Sequence, residues 1–127
     1  MLASSPMNGF VPTRDARKAR SFYEGILGLP FEYENQFVTV FRGKDTMIIA
    51  QKVEEFSPAP YTILGWEVED IKKVVSLLSQ KGVVFEKYAW MVQDELWIWE
   101  SPAGKVAWFK DPDGNTLSVS EHGKNAR

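Results

Sequence analysis

Few side chains in this sequence can do chemistry, and their types limit what that chemistry is. There is no cysteine, which excludes thiol nucleophiles, iron-sulfur sites and thiolate zinc sites. The single histidine, His122, can serve as a general acid or base, but it opens a polar tail, 122–127, where a fraying surface position is the plainer expectation. One imidazole also cannot make a multi-histidine metal centre within one chain. Glu67 lies in the apolar run 64–68; seated among apolar groups it would have a raised pKa and act as a general base, whereas at a strand end it would simply be solvated. The third group is aromatic. Trp90, Trp97 and Trp99 fall within 89–104 beside Asp94, Glu95 and Glu100. They either form a wall that stacks on a flat ligand, with the carboxylates adding polar contacts, or complete a core or homodimer interface.

These residues need a scaffold, and the chain supplies one of ordinary size. With 127 residues, 44% of them hydrophobic and 25% charged, it suits one domain with a real core. A net charge of -2 lacks the basic footprint of a general nucleic-acid or anionic-membrane binder. No run of apolar residues is long enough to span a bilayer, and 1–6 do not read as a signal segment. The expectation is a cytoplasmic protein whose partner is a small molecule.

The scaffold repeats. Asp15-Ala-Arg-Lys-Ala-Arg-Ser21 aligns with Asp70-Ile-Lys-Lys-Val-Val-Ser76, and Gly28 with Phe31-Glu32 aligns with Gly82 with Phe85-Glu86. Ala19, Phe22, Tyr23, Ile26 and Leu27 have the 3-and-4 spacing of an apolar helical face, as do Ile71, Val74, Val75 and Leu78. Each Asp suits an N-cap and each Gly a helix stop, which predicts helices over 17–27 and 71–81. Extended runs at 9–13 and 64–68 precede the helices. Runs at 31–34, 37–41 and 46–51 follow the first, with a turn at 42–45; runs at 84–88, 106–110 and 116–120 follow the second, with a turn at Asp111-Pro-Asp-Gly114 where Gly114 takes positive φ. The organisation is α+β, two tandem β-α-β-β-β units at about 7–51 and 61–121, joined by a linker at 52–60. Eight strands are expected to form a curved mixed sheet around a cleft.

The duplicated unit, the helix string ending in Leu27-Gly28-Leu29 and the string Val106-Ala-Trp-Phe-Lys-Asp-Pro-Asp-Gly-Asn115 together resemble the vicinal oxygen chelate superfamily. That group includes glyoxalase I, bleomycin-resistance proteins, fosfomycin-resistance enzymes and extradiol dioxygenases. The resemblance implies metal-ligand positions at Asn8, Ile63 and Ser118, with a further one near 48–50. Ile63 has no donor atom, and the amide of Asn8 and the hydroxyl of Ser118 are weak replacements for imidazole and carboxylate. No metal or other cofactor is therefore expected. The bleomycin-resistance members imply the leading function, a metal-free binder of a small, partly aromatic organic molecule. The alternatives are a metal-dependent lyase, isomerase or dioxygenase with ligands displaced to Glu67, Asp94, Glu95 and His122, or a metal-free acid-base enzyme built on Glu67. The resemblance also implies a homodimer.

Strand alternation extends these positions into a candidate cleft. If Ile63 faces it, so do Tyr61, Gly65 and Glu67, with Trp66 in the core; Asn8, Phe10 and Pro12 follow from the first strand, and Thr116, Ser118 and Ser120 from the last. Between Gly82 and Thr116 the second unit spends 34 residues where the first spends 18 between Gly28 and Thr46. The surplus places an insertion at 89–104, carrying Trp90, Trp97 and Trp99 toward the cleft or a subunit contact. Residues 96–100 have the character of an extra strand.

Overall fold

A computed structural model describes residues 1–123. Its chain divides into two compact units: 1–58 with 111–115, and 59–110 with 116 onward. Each builds a four-stranded mixed sheet with helix packed on one face. The architecture is α+β, and the eight strands form two sheets rather than one continuous sheet.

In the first unit the order is β1-β4-β3-β2, from β1 (Met7–Thr13), β2 (Phe31–Glu34), β3 (Val38–Gly43) and β4 (Thr46–Lys52). β1 and β4 run parallel, which requires the helical crossover between β1 and β2. That crossover starts as α1 (Ala16–Arg20), capped by Asp15, whose carboxylate accepts from the backbone N–H groups of Arg17 and Lys18. It continues as a π-helical turn, Ser21–Ile26, with Leu27 N–H donating to Phe22 O, so the helix expected over 17–27 is α-helical only in its first part. Val11, Thr39, Phe41, Ile48 and Ala50 line the helix side of this sheet and are buried with Ala19, Phe22 and Tyr23. The β3–β4 hairpin closes on Lys44 and Asp45 alone, a tighter turn than 42–45, because Gly43 and Thr46 already pair.

The turn expected at 111–114 packs within this first unit. Asp111 Oδ2 accepts from the Tyr23 hydroxyl at 2.6 Å and from Asn115 Nδ2 at 2.9 Å, while Oδ1 accepts from the backbone N–H groups of Asp113 and Asn115. Asn115 Nδ2 also donates to Pro12 O, and Arg14 donates to Asp113. Gly114 has φ 87°, a conformation that costs a side chain dearly, and a Cβ there would stand 3.2 Å from Pro58 Cγ.

The second unit repeats the plan with β5 (Thr62–Glu67), α2 (Ile71–Gln80), β6 (Trp99–Glu100), β7 (Gly104–Lys110) and β8 (Thr116–His122), in sheet order β5-β8-β7-β6. Asp70 accepts from Lys73 N–H, and Glu121 Oε1 accepts from Ile71 N–H, so two carboxylates serve the α2 N-terminus. Ile71 and Val75 are buried, as are Phe85, Ala107, Phe109, Leu117 and Val119, with α2 packed on β7 and β8. The strand expected at 84–88 is reduced to one bridge, Phe85 to Phe109. Its place farther along the β7 edge is taken by Trp99 and Glu100 of the insertion, which pair with Val106 and Lys105. Strand β8 also runs two residues past the expected end, to His122. Among the described residues no helix is long and apolar enough to cross a membrane.

Candidate functional site

The second sheet has one face covered by α2 and one that is not. Register fixes who stands on the uncovered face. Ser118 is opposite Trp108 and beside Gly65, Ser120 is opposite Val106 and beside Glu67, and Val106 is opposite Trp99. The alternating residues Leu117, Val119, Ala107 and Phe109 are buried on the helix side.

The aromatic members of this face touch in series. Trp108 meets Tyr88 edge-on at 5.6 Å between ring centroids and Trp99 at 6.2 Å; Tyr88 meets Trp90 at 5.7 Å. These separations fall in the range of favourable ring pairs. The Trp108 indole N–H donates to Thr62 Oγ1 at 2.9 Å, fixing the ring plane. Trp90 remains 78% exposed, so one end of the strip is bare. Tyr88 has its pKa raised by partial burial first and by the charge of Glu86 second, against a lowering from Lys110.

The polar members gather around Glu67. Its Oε1 accepts from Ser120 Oγ at 3.0 Å and contacts His122 Nδ1 at 2.6 Å, and its Oε2 accepts from the backbone N–H of His122 at 2.7 Å. Desolvation, the largest single influence, pushes the carboxyl up. The hydrogen bonds from the His122 ring, the His122 backbone and Ser120 together outweigh it and hold Glu67 below the usual carboxylate range. Of the two readings of Glu67, the lowered pKa favours the strand-end carboxylate over the general base with a raised pKa: it is a stabilised anion, not a base poised near neutrality. His122, expected as a surface residue of a polar tail, is instead the half-buried partner of that anion.

The candidate residues do not all meet. Glu67, Trp99, Ser118 and Ser120 share the uncovered face of the second sheet, and Trp90 joins it through Tyr88. A bulge at Ile63 shifts the register between Thr62 and Leu64, so Thr62, rather than Tyr61 and Ile63, reaches the face through Trp108. Ile63 is half-buried and Tyr61 is 67% exposed. Thr116 is buried, its hydroxyl directed to Ala59 O. Trp97 stands apart with φ 66°, its ring 5.5 Å from Lys87 Nζ. In the first unit Asn8 and Phe10 are exposed on the helix-free side of their sheet, in register with Met47 and Ile49.

Of the displaced metal donors only Glu67 and His122 meet. Asp94 Oδ1 accepts from Leu96 and Ile98 N–H groups, which shapes the insertion, and Glu95 is exposed. Among the described residues there is no group of three or more His, Cys, Asp or Glu able to hold a metal ion. With Asn8, Ile63 and Ser118 at the positions the resemblance assigns to ligands, the donor set does not fit a divalent metal.

Tyr88, Trp108 and Thr62 were not among the candidates. The first two were within reach: hairpin counting about the 111–114 turn sets Trp108 opposite Ser118, and alternation from Phe85 puts Tyr88 on the same side as Glu86. A bulge leaves no mark in an alternating pattern, so Thr62 had no such signal.

The sequence matches the Glyoxalase/Bleomycin resistance protein/Dioxygenase superfamily over residues 7–119. The chain belongs to this superfamily. No curated protein matches it. Among solved structures it is similar to TnmS3, an antibiotic binding protein from a Streptomyces species, with 22% identity, 97% of this chain and 99% of that one covered, and a TM-score of 0.75. A superfamily member from Sphaerobacter thermophilus gives 22% identity, 96% and 100% coverage and a TM-score of 0.75. Lactoylglutathione lyase from Agrobacterium tumefaciens gives 16%, 93% of each chain and 0.72. At these identities the likeness establishes the fold, and the superfamily fold serves binders and enzymes alike.

Proposed function

We propose that this superfamily member is a metal-free binder of a small organic molecule carrying an aromatic ring, which it holds on the uncovered face of its second sheet. The observation that carries this reading is the strip Trp90–Tyr88–Trp108–Trp99 beside a polar row of Thr62, Ser118, Ser120 and Glu67. Flat apolar surface contributes affinity, and a few fixed polar atoms set orientation. The role of TnmS3 as an antibiotic binding protein agrees with a binding rather than a catalytic use of this fold. We also assign a homodimer; exposed Phe10, Tyr33 and Phe37 of the first unit supply apolar surface for it.

Intrinsic tryptophan fluorescence, titrated with a panel of planar aromatic compounds, tests the binding reading. At least one should quench saturably, and Trp108→Ala should weaken that ligand by about tenfold, the scale of losing one central aromatic contact. A panel without saturable quenching would overturn the proposal.

A further inference from the structure

His122 occupies the last rung of β8, on the same face as Ser118 and Ser120 and opposite Gly104 of β7. Its ring is held along two edges. On the β5 side Nδ1 lies 2.6 Å from Glu67 Oε1, and that carboxylate is fixed in turn by Ser120 Oγ and by the His122 backbone N–H. On the β7 side the ring lies against Gly104, where a Cβ would come within 2.9 Å of His122 Cδ2 and 2.6 Å of Glu121 O. Only glycine permits this approach. An ionised carboxylate can accept but not donate, so the Nδ1 contact requires a proton on Nδ1, which leaves the lone pair of a neutral imidazole on Nε2. Nε2 is bonded to Cδ2 and therefore sits at the ring's outer edge on the Gly104 side. The next rung along that side is Ser120, Val106 and Trp99, the end of the aromatic strip. A carboxylate-backed imidazole with an oriented lone pair thus stands one rung from an aromatic platform.

We propose that His122 is the polar reader of this face, taking the proton of a weakly acidic hydroxyl so that the ligands held are planar phenols or enols, bound as anions. This rests on the aromatic-face reading above and names its ligand class. The ligand O–H bond breaks, the proton moves to Nε2, and the charge stays on the ligand oxygen. The resulting imidazolium lies between that oxyanion and Glu67, paired with both. Among the described residues, the neighbouring groups favour this arrangement. Glu67 faces His122 from β5, and β7 offers uncharged Gly104 and Val106 on this side. Lys105 and Glu121 oppose each other on the helix side, and Lys110 pairs with Glu86 toward the other end of β7. Glu67 acts through His122 and is a positioning residue.

The probes are 7-hydroxycoumarin, whose phenol and phenolate absorb differently, and 7-methoxycoumarin, which has no proton to give. Both should quench the tryptophans of the full chain. Bound 7-hydroxycoumarin should ionise at least about one pH unit lower than in buffer, the size of shift a nearby opposite charge produces. In His122→Gln that shift should vanish and hydroxycoumarin affinity should fall about tenfold, while the methoxy compound binds as before. Glu67→Gln, which retains an acceptor oxygen, should show a smaller shift than the native protein. Hydroxycoumarin bound as the neutral phenol, or a shift untouched in both variants, would overturn the inference and leave the aromatic-face reading standing. If neither compound quenches, the aromatic-face reading falls and this inference with it.

Discussion

Two hydroxyl and carboxylate clusters, one buried around Asp111 and one at the surface around Glu67, do different work at the residue scale. Tyr23 donates a hydrogen bond from its hydroxyl to Asp111 inside the first unit, and its own pKa is raised far above the ordinary value, by burial first and by the Asp111 charge next. Removing that hydroxyl strands part of a buried carboxylate, so Tyr23→Phe should cost about 1–3 kcal/mol in urea unfolding. A cost under about 0.5 kcal/mol would show that Asn115 and the backbone satisfy Asp111 without it. Glu67 is held below its ordinary value of 4.5 in the folded protein. A depressed carboxyl stabilises the fold above its unfolded-state pKa, and that stabilisation is lost as pH falls through the folded-state pKa. The melting-temperature gap between native protein and Glu67→Gln should therefore be largest at neutral pH and close as the solution is acidified below 4.5. A gap that widens with acid would mean the carboxyl is destabilised in place.

Elements were legible in the sequence where periodicity and capping agree. Asp15 and Asp70 mark helix starts because their side chains satisfy first-turn N–H groups, and Ile71 and Val75 are buried as their spacing requires. Alternation separated Leu117 and Val119 from Ser118 and Ser120 for the same reason. Three features escaped it. A bulge at Ile63 is a backbone event without a compositional signature. The edge of β7 was contested between 84–88 and the insertion, and pairing decides that only in three dimensions. The Glu67–His122 pair depends on β8 continuing into what reads as a polar tail. The insertion itself is organised by Gln93, whose Oε1 accepts from Tyr88 N–H and whose Nε2 donates to Glu86 O and Trp97 O. Gln93→Ala frees all three groups at once. We expect a loss of about 1–3 kcal/mol in thermal unfolding, together with faster proteolytic nicking within 89–104; an unchanged digestion pattern would show that Asp94 alone shapes the segment.

For the whole molecule, superfamily membership sets the fold, while the donor set at the ligand positions and the aromatic strip set the use we assign to it. Zinc, nickel or manganese titrated into the metal-stripped protein should find no saturable stoichiometric site, because Ile63 offers no donor and Asp94 is committed to backbone N–H groups. One-to-one metal uptake by calorimetry would reverse that conclusion. Where an aromatic ligand sits on this protein is read most directly with the five tryptophans as reporters. In a nitrogen-proton correlation spectrum each indole N–H gives its own signal, and titration with a bound aromatic compound shows which rings it meets. Trp99 and Trp108 should move together and saturate at one affinity, with Trp90 following, while Trp66, in register with buried Val119 on the helix side, stays in place. Movement of Trp66 or Trp97 with Trp99 and Trp108 unchanged would place the ligand elsewhere and contradict the account.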